Sequence, residues 1–255
     1  MRGNRFFKKK GKKGCLLIHG LTSSTQEFEE LGTYLHTKGY TVLATLLKGH
    51  NTSPEDLGRT TWKDWYNSVI EDFYFLEKKC DEIYIIGQSI GATLALHMVS
   101  NTDSKKIKGL ILLAPAISYS NYTVYLIPLL KYFKKYTIKD YRKYYPHRKE
   151  AFFDIADDKQ LEKRIAYKKV PLSSIASALG LIRLVKKEIK KIKISVITFH
   201  SRKDHTIKPS SSIYIYNKLK SQKKLIFVEK SGHVLSVDYD KNTIFREIYG
   251  FIQKK

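Results

Sequence analysis

The sequence predicts an α/β fold with a mostly parallel central sheet and helices on both of its faces. Short apolar runs rich in β-branched residues alternate with stretches of helical periodicity, both before residue 116 and after residue 191. Such alternation is typical of parallel strands joined by crossover helices. A second indication is a serine between two glycines, Gly87-Gln88-Ser89-Ile90-Gly91, at the junction of a strand-like run and a helix-like stretch.

The stretch around Ser89 is the most informative part of the chain. Residues 83–86 form an apolar run that predicts a buried strand, and residues 92–99 predict a helix buried on most sides. A serine in a sharp strand-to-helix turn is a nucleophile elbow, in which side chains two residues before and after it would collide with neighbouring backbone. A G-x-S-x-G pattern arises by chance in roughly one chain in ten of this length. The prediction therefore depends on the strand predicted before the pattern and the helix predicted after it.

The other elements are predicted from their periodicity and their end signals. Apolar runs predict strands at residues 5–8, 15–19, 40–43, 107–113, 194–199 and 225–228. Helical spacing predicts helices at residues 25–38, 62–76, 211–219 and 242–252. Ser24 and Glu27 fit a capping box for the first helix, and Thr61 can cap the second, whose Trp62 and Trp65 are expected in the core.

Residues 116–191 carry no strand signal and predict an inserted, mainly helical subdomain. We therefore expect a core made of residues 1–115 and 192–255, with residues 116–191 as a cap or lid. Eight Lys and Arg residues lie between residues 131 and 149, interleaved with tyrosines. This stretch is either a solvated basic face with tyrosines packed beneath it, or a lid with an apolar inner side and a basic side that meets anionic surfaces.

Composition bounds the location and the partners. The formal net charge is +23. This charge has three possible explanations, which are a general overuse of lysine, attraction to an anionic membrane surface and, last, binding of nucleic acid. The sequence contains no nucleic-acid-binding motif. No apolar run reaches the roughly 18 residues of a membrane span, and the basic N-terminus lacks the apolar region of a signal peptide. We expect a cytoplasmic protein with two free, buried thiols, Cys15 and Cys80, and with no metal or cofactor.

A serine hydroxyl is a poor nucleophile unless an imidazole takes its proton and a carboxylate orients that imidazole. In this class of fold the order is Ser, then Asp or Glu, then His, each after the end of a strand. Asp204 and His233 follow the last two predicted strands and satisfy that order with Ser89. Asp238 and Asp240 remain alternative acids. Two further imidazoles come too early in the chain to satisfy the order, His200 and His205.

The oxyanion of an acyl-transfer intermediate needs two main-chain N–H donors. Ile90 follows the serine at a helix N-terminus and supplies one donor. The loop after the first buried strand contains Gly20 and Leu21, so the Leu21 N–H is expected to be the other. His19, just before this loop, is interpreted as a structural residue that holds the loop.

Several further segments complete the pattern, and they are residues 17–22 (LIHGLT), 47–50 (LKGH), 59–65 (RTTWKDW), 167–171, 204–205 and 231–234 (SGHV). With the elbow, they resemble the small bacterial carboxylesterases and monoacylglycerol lipases of the α/β-hydrolase fold, over nearly the whole chain outside residues 116–191. The resemblance implies ester hydrolysis through an acyl-enzyme and a small lid over an elongated acyl pocket. It also implies Ser89, Asp204 and His233 as the catalytic triad.

Two positions depart from the family pattern. Asn51 stands where the family usually has a glycine. Among residue types, Asn is second only to Gly in tolerating the left-handed conformation of such a turn. Leu21 replaces a usual Phe, which reshapes the pocket mouth without changing the backbone donor.

We therefore expect a carboxylesterase that acts on a small-molecule ester with an acyl chain. The nearest alternative is a monoacylglycerol lipase, which a lid with an apolar face would suit. More distant alternatives are an acyl thioesterase and a non-catalytic protein that binds a ligand or an anionic membrane surface. The serine in the elbow argues against dehalogenase and epoxide-hydrolase chemistry, where this position carries Asp.

Overall fold

One seven-stranded sheet forms the centre of the structure. The computed structural model describes residues 3–254, and within them the strands are β1 (Phe6–Lys8), β2 (Lys13–Ile18), β3 (Thr41–Thr45), β4 (Glu82–Gln88), β5 (Ile107–Leu113), β6 (Tyr136–Ile138), β7 (Lys169–Pro171), β8 (Ser195–Ser201) and β9 (Lys223–Val228). The central sheet has the order β1-β3-β2-β4-β5-β8-β9. Its neighbouring strands are parallel, except that the edge strand β1 pairs antiparallel with β3.

Helices connect the strands. In the same residues they are α1 (Glu29–Thr37), α2 (Pro54–Gly58), α3 (Trp62–Glu77), α4 (Ile90–Ser100), α5 (Ile127–Leu130), α6 (Asp158–Glu162), α7 (Leu172–Glu188), α8 (Ser210–Lys218) and α9 (Lys241–Gln253). Short 3₁₀ turns lie at Thr25–Phe28, Tyr122–Leu126 and Ile189–Lys191. Across residues 3–254, no helix combines the length and the apolar character needed to cross a bilayer.

The sheet buries both of its faces, because successive residues of a strand point to opposite sides. In β4, Ile83 and Ile85 pack in one core cluster with side chains of α3, α4 and α7. Tyr84 and Ile86 pack in a second cluster with side chains of α1 and α9. The predicted fold class, a mostly parallel sheet flanked by helices on both faces, is confirmed.

The predicted caps are confirmed in part. Thr61 is the N-cap of α3, and its N–H donates to Asp64 Oδ2 at 2.9 Å. Ser24 caps the first helical turn by accepting the Gln26 N–H at 3.4 Å. Glu27 does not close the expected capping box, because its carboxylate is used by the loop after β2.

The tryptophans of α3 lie at different depths. Trp65 is fully buried in the core, as predicted, and its Nε1–H donates to Thr60 Oγ1 at 2.8 Å. Trp62 is only partly buried, and its ring makes an edge contact with His97.

Residues 116–191 contain more than the expected helices. Strands β6 and β7 form a small antiparallel sheet, which the sequence did not reveal because three-residue strands are too short to show alternation. The long helix α7 packs into the same core cluster as α3 and α4, through residues that include Leu181 and Val185. The end of this segment is therefore tied to the central sheet by apolar packing.

Candidate active site

Ser89 lies in the sharp turn between β4 and α4. Its φ of 55° and ψ of −119° fall in a sparsely populated region, where a non-glycine residue costs on the order of 1–3 kcal/mol. A Cβ on Gly87 would lie 2.5 Å from the Gly91 carbonyl oxygen, and a Cβ on Gly91 would lie 2.0 Å from the Ile18 carbonyl oxygen. Both distances are too short for real atoms, so the two glycines are needed for the reason that the sequence indicated.

Three side chains from three strand ends form one chain of hydrogen bonds. Ser89 follows β4, Asp204 follows β8 and His233 follows β9. His233 Nε2 lies 2.9 Å from Ser89 Oγ, and His233 Nδ1 lies 2.7 Å from Asp204 Oδ2. The carboxyl ends of parallel strands meet at one edge of a sheet, which brings these distant residues together.

The Asp204 carboxylate is held by its own loop. Oδ1 accepts the main-chain N–H groups of Thr206 and Ile207 at 2.9 and 2.8 Å. His200 Nε2 lies 3.1 Å from Oδ2. Burial by itself raises the pKa of Asp204, but the charge of His233 and hydrogen bonds from His200 and His233 outweigh burial and hold that pKa below its usual value. The carboxylate therefore stays ionised and favours the Nδ1–H form of His233.

The two alternative acids, Asp238 and Asp240, accept hydrogen bonds from main-chain N–H groups. Asp238 is fully buried and accepts the N–H groups of Gly232 and Ala156 at 2.7 and 2.8 Å. Asp240 Oδ2 accepts the N–H and the hydroxyl of Ser231 at 2.9 and 2.8 Å. Of the three candidate acids, Asp204 is the one that is hydrogen-bonded to the His233 ring.

The two other histidines have different neighbours. The His205 ring stacks on Tyr144 with ring centres 3.7 Å apart. His200 Nδ1 lies 2.6 Å from Ser212 Oγ, so this imidazole connects α8 with Asp204. Within residues 3–254 the imidazole that is hydrogen-bonded to Ser89 is that of His233.

The loop after β2 runs beside Ser89. A Cβ on Gly20 would lie 3.3 Å from the Ser89 Cβ, and Leu21 lines the same cavity as Ser89. Glu27 is buried and accepts the Gly20 N–H at 2.8 Å, which fixes this loop. Ile90 is the first residue of α4, where main-chain N–H groups have no acceptor within the helix. The two expected oxyanion donors thus belong to the two segments that flank Ser89.

His19 and Asn51 shape the neighbouring loops. His19 Nδ1 lies 2.9 Å from the Gly20 carbonyl oxygen, and its Nε2 accepts the Leu47 N–H at 3.2 Å. Burial lowers the pKa of His19 to about 4, so the ring is neutral and connects two loops, in keeping with a structural role. Asn51 has a φ of 57°, the left-handed conformation that its substitution for glycine requires.

A cavity of about 570 Å³ is lined by both Ser89 and His233. Residues 116–191 supply most of an apolar wall, through Val124, Ile127, Val170 and Ile175. The same segment also supplies cationic side chains to the cavity, those of Lys139, Lys143 and Arg164. An apolar cavity with a few polar groups beside a nucleophile is the usual form of a small-molecule site.

Asp154, which sequence reasoning missed, lies beside this site. It is 3% exposed. Its Oδ1 accepts the Tyr145 hydroxyl at 2.8 Å, and its Oδ2 accepts the His205 N–H at 2.8 Å. Burial, and next the charge of Asp204, raise the pKa of Asp154. No sequence signal marks it, because a single aspartate in an irregular segment has no periodicity or motif.

Comparisons with known proteins identify the family of this chain. The family model described as "Serine aminopeptidase, S33" matches residues 9–240. A carboxylesterase of Bacillus subtilis is 27% identical over 249 residues, which is 96% of this chain and 94% of that protein. A thermostable monoacylglycerol lipase of Bacillus sp. is 28% identical over 254 residues, 98% of this chain and 94% of that protein.

Solved structures show the same fold. A structure described among two metagenome-derived lipolytic enzymes superposes with a TM-score of 0.89 at 23% identity, over 99% of this chain and 98% of that one. The monoacylglycerol lipase of Paleococcus ferrophilus superposes with a TM-score of 0.80 at 18% identity, over 98% of each chain. The predicted resemblance is confirmed. The chain belongs to the serine aminopeptidase S33 family and is an α/β-hydrolase of the esterase and lipase type.

Proposed function

We propose that the protein is a carboxylesterase in which Ser89 is the nucleophile, His233 the general base and acid, and Asp204 the carboxylate that orients His233. The observation that carries this proposal is the hydrogen-bonded series from Ser89 Oγ through His233 to Asp204, at 2.9 and 2.7 Å. The names of the two Bacillus relatives, a carboxylesterase and a monoacylglycerol lipase, support an ester as substrate.

Acylation begins when Ser89 Oγ attacks the ester carbonyl carbon and its proton passes to His233 Nε2. The ionised Asp204 stabilises the imidazolium that forms. The hydrogen bond between Asp204 and His233 Nδ1 keeps the ring oriented toward Ser89. The carbonyl oxygen becomes an oxyanion, and we assign its binding to the N–H groups of Leu21 and Ile90. Each such donor typically lowers the barrier by a few kcal/mol. His233 then returns the proton to the leaving alcohol, and an acyl-Ser89 ester remains.

Deacylation repeats these steps with water as the nucleophile. His233 Nε2 takes a proton from water as the water oxygen attacks the acyl-Ser89 carbonyl. Collapse of this second intermediate returns the proton to Ser89 Oγ and releases the carboxylic acid. Each step uses only water and groups of this chain.

We assign residues 116–191 the role of a lid over a core made of residues 1–115 and 192–255. The support is that the inner side of this segment lines the cavity through residues such as Val124 and Ile127. Apolar side chains there suit an acyl chain, and they exclude water from the acyl-enzyme.

A monoacylglycerol lipase is the second candidate. The specific observation in its favour is an exposed apolar face on the lid, where Leu129, Tyr132 and Phe133 are 69%, 77% and 90% exposed. Lys131, Lys134 and Lys135 are exposed between and after them. Large exposed apolar patches are unusual in monomers, and lysines beside them attract anionic lipid headgroups. A weak contact of this face with an anionic membrane surface follows from the proposal.

Two measurements test the proposed function. A fluorophosphonate probe should label the wild-type protein at Ser89 and should not label Ser89→Ala; labelling at another residue would refute the assignment of the nucleophile. Hydrolysis of p-nitrophenyl esters of increasing acyl length is then compared with hydrolysis of monoacylglycerols. A preference for short simple esters favours the carboxylesterase, and a preference for longer monoacylglycerols favours the lipase.

A further inference from the structure

Lys139 and Arg164 are two of the three cationic side chains that line the cavity, and the proposed mechanism uses neither of them. Lys139 follows β6, and Arg164 follows α6. Both side chains line the cavity that contains Ser89 and His233. Residues 25 positions apart in an irregular segment are brought here only by the folding of the lid.

The Arg164 guanidinium is buried but incompletely satisfied. Its side chain is 9% exposed, and it carries five N–H donors. Its contacts with Glu27 Oε2 and Ser23 Oγ are long, at 3.5 and 3.4 Å. Glu27 already accepts shorter hydrogen bonds from Gly20 and Ser23, at 2.8 and 2.5 Å. Within residues 3–254 the buried Arg164 Nε has no hydrogen-bond acceptor, and an unmet donor on a buried charge is costly.

Lys139 lacks a carboxylate partner within the described part of the chain. The adjacent acid, Asp140, is instead paired with Arg142. Burial, and next the positive charge of Arg164, lower the pKa of Lys139 to about 8. The two cations therefore repel each other in a partly enclosed space.

The acidic groups around this cavity are engaged with other partners. Asp154 accepts hydrogen bonds from Tyr145, His205 and Thr206. Asp204 is hydrogen-bonded to His233. These carboxylates pull the pKa of Lys139 upward without forming an ion pair with it. An anion that enters the cavity would meet the ammonium of Lys139 and the guanidinium of Arg164, both of which line it.

We propose that the natural substrate is an ester that also carries an anionic group, a carboxylate or a phosphate, and that Lys139 and Arg164 bind this group while Ser89 attacks the ester. The inference rests on the proposed function and specifies its substrate class. Ammonium and guanidinium groups are the usual protein partners of both anions. The bound anion would offset the repulsion between the two cations.

The test compares anionic and neutral esters of matched size. One pair places the charge on the acyl part, p-nitrophenyl hemiadipate and p-nitrophenyl hexanoate. The other pair places it on the alcohol, monodecanoylglycerol phosphate and monodecanoylglycerol. We expect kcat/KM to favour the anionic member of one pair by about tenfold, the value of one charge-assisted hydrogen bond. The pair that responds identifies the carboxylate or the phosphate as the source of the charge.

Variants assign the preference to the cavity cations. Lys139→Gln should lower the ratio of anionic to neutral kcat/KM by about tenfold. The matched control is Lys159→Gln, because Lys159 is exposed on α6 and does not line the cavity; its ratio should equal that of the wild type. Equal rates within both pairs, or an unchanged ratio in Lys139→Gln, would overturn the inference and leave the esterase proposal standing.

Binding separates this inference from the proposed function. Ser89→Ala is titrated calorimetrically with monomethyl adipate and methyl hexanoate, and with monodecanoylglycerol phosphate and monodecanoylglycerol. Tighter binding of one anionic member, lost in the double variant with Lys139→Gln, supports the anion site even if the wild type hydrolyses no ester. Equal binding within both pairs refutes the anion site whatever the wild type hydrolyses.

Discussion

The main-chain carbonyl of Asp154 accepts the N–H of His233 at 2.9 Å. Asp154 lies within the segment assigned as the lid, so the lid is hydrogen-bonded to the loop that carries the imidazole. Its carboxylate also accepts the His205 N–H at 2.8 Å and the Thr206 hydroxyl at 3.1 Å, on the loop that carries Asp204. One lid residue therefore contacts the loops of two groups assigned to the triad.

Asp154→Ala should destabilise the protein and reduce turnover. The change leaves the buried Tyr145 hydroxyl and the His205 N–H without their acceptor, which typically costs about 1–3 kcal/mol. Urea unfolding measures the free energy, and ester hydrolysis measures turnover. The control is Asp103→Ala, an exposed aspartate on the core. Equal stability of the two variants would show that the Asp154 carboxylate does not tie the lid to these loops.

Asp204→Asn should lower kcat by about 10³- to 10⁴-fold. The amide can still accept the N–H groups of Thr206 and Ile207, but its NH₂ would face the Nδ1–H of His233. The imidazole then loses the tautomer that accepts the Ser89 proton. Steady-state kinetics and a thermal melt are measured together, so that loss of fold is separated from loss of function. Undiminished activity would move the acid role to Asp238 or Asp240.

Two glycine-to-alanine changes should have opposite effects on stability. Gly91→Ala places a Cβ 2.0 Å from the Ile18 carbonyl oxygen and should cost about 1–3 kcal/mol or more. Gly250→Ala, in α9, meets nothing within 4 Å and should stabilise by about 0.5–1 kcal/mol because alanine favours the helix. Denaturant titration of both variants measures the difference. Equal stabilities would contradict the steric account of the elbow.

Phe133→Ser should weaken binding to anionic vesicles by about tenfold, as expected when one large apolar side chain no longer enters the interface. Co-sedimentation with phosphatidylglycerol vesicles measures the effect, and phosphatidylcholine vesicles test the dependence on charge. Added salt should weaken binding of the wild type. Tyr239→Ser is the control, because Tyr239 is also an exposed aromatic residue but lies outside the lid. The same loss in both variants would refute a membrane contact through the lid.

The preference for an anionic ester should fall as the pH rises through about 8. Lys139 is protonated below its lowered pKa of about 8 and neutral above it, so the anion loses one cationic partner at higher pH. The ratio of kcat/KM for the two members of an ester pair cancels pH effects that they share. The other acidic, basic and imidazole groups around Lys139 and along the cavity wall are Arg164, Asp154, Asp204, Glu27, Asp140, Lys143, His205 and His233. The same pH step in Lys139→Gln would assign it to one of these groups instead.

Local physical chemistry explains why much of this protein could be predicted from its sequence. The strands around β4 were visible because apolar residues buried on both faces form continuous runs. The elbow was visible because its glycines at positions −2 and +2 are required by sterics that act over five residues. The meeting of Ser89, Asp204 and His233 could be expected because each follows a parallel strand, and parallel strands end at one edge of the sheet.

The sequence by itself determined the fold class, the elbow and a short set of candidate side chains. The tertiary structure decided which of Asp204, Asp238 and Asp240 reaches His233, because Asp204 is hydrogen-bonded to the His233 ring whereas the two nearer aspartates accept main-chain N–H groups. It also decided where Glu27 and the lid residues lie: Asp154 against the His233 loop, and Lys139 and Arg164 in one cavity wall. Those positions depend on packing between remote segments, and neither residue type nor periodicity encodes such packing locally.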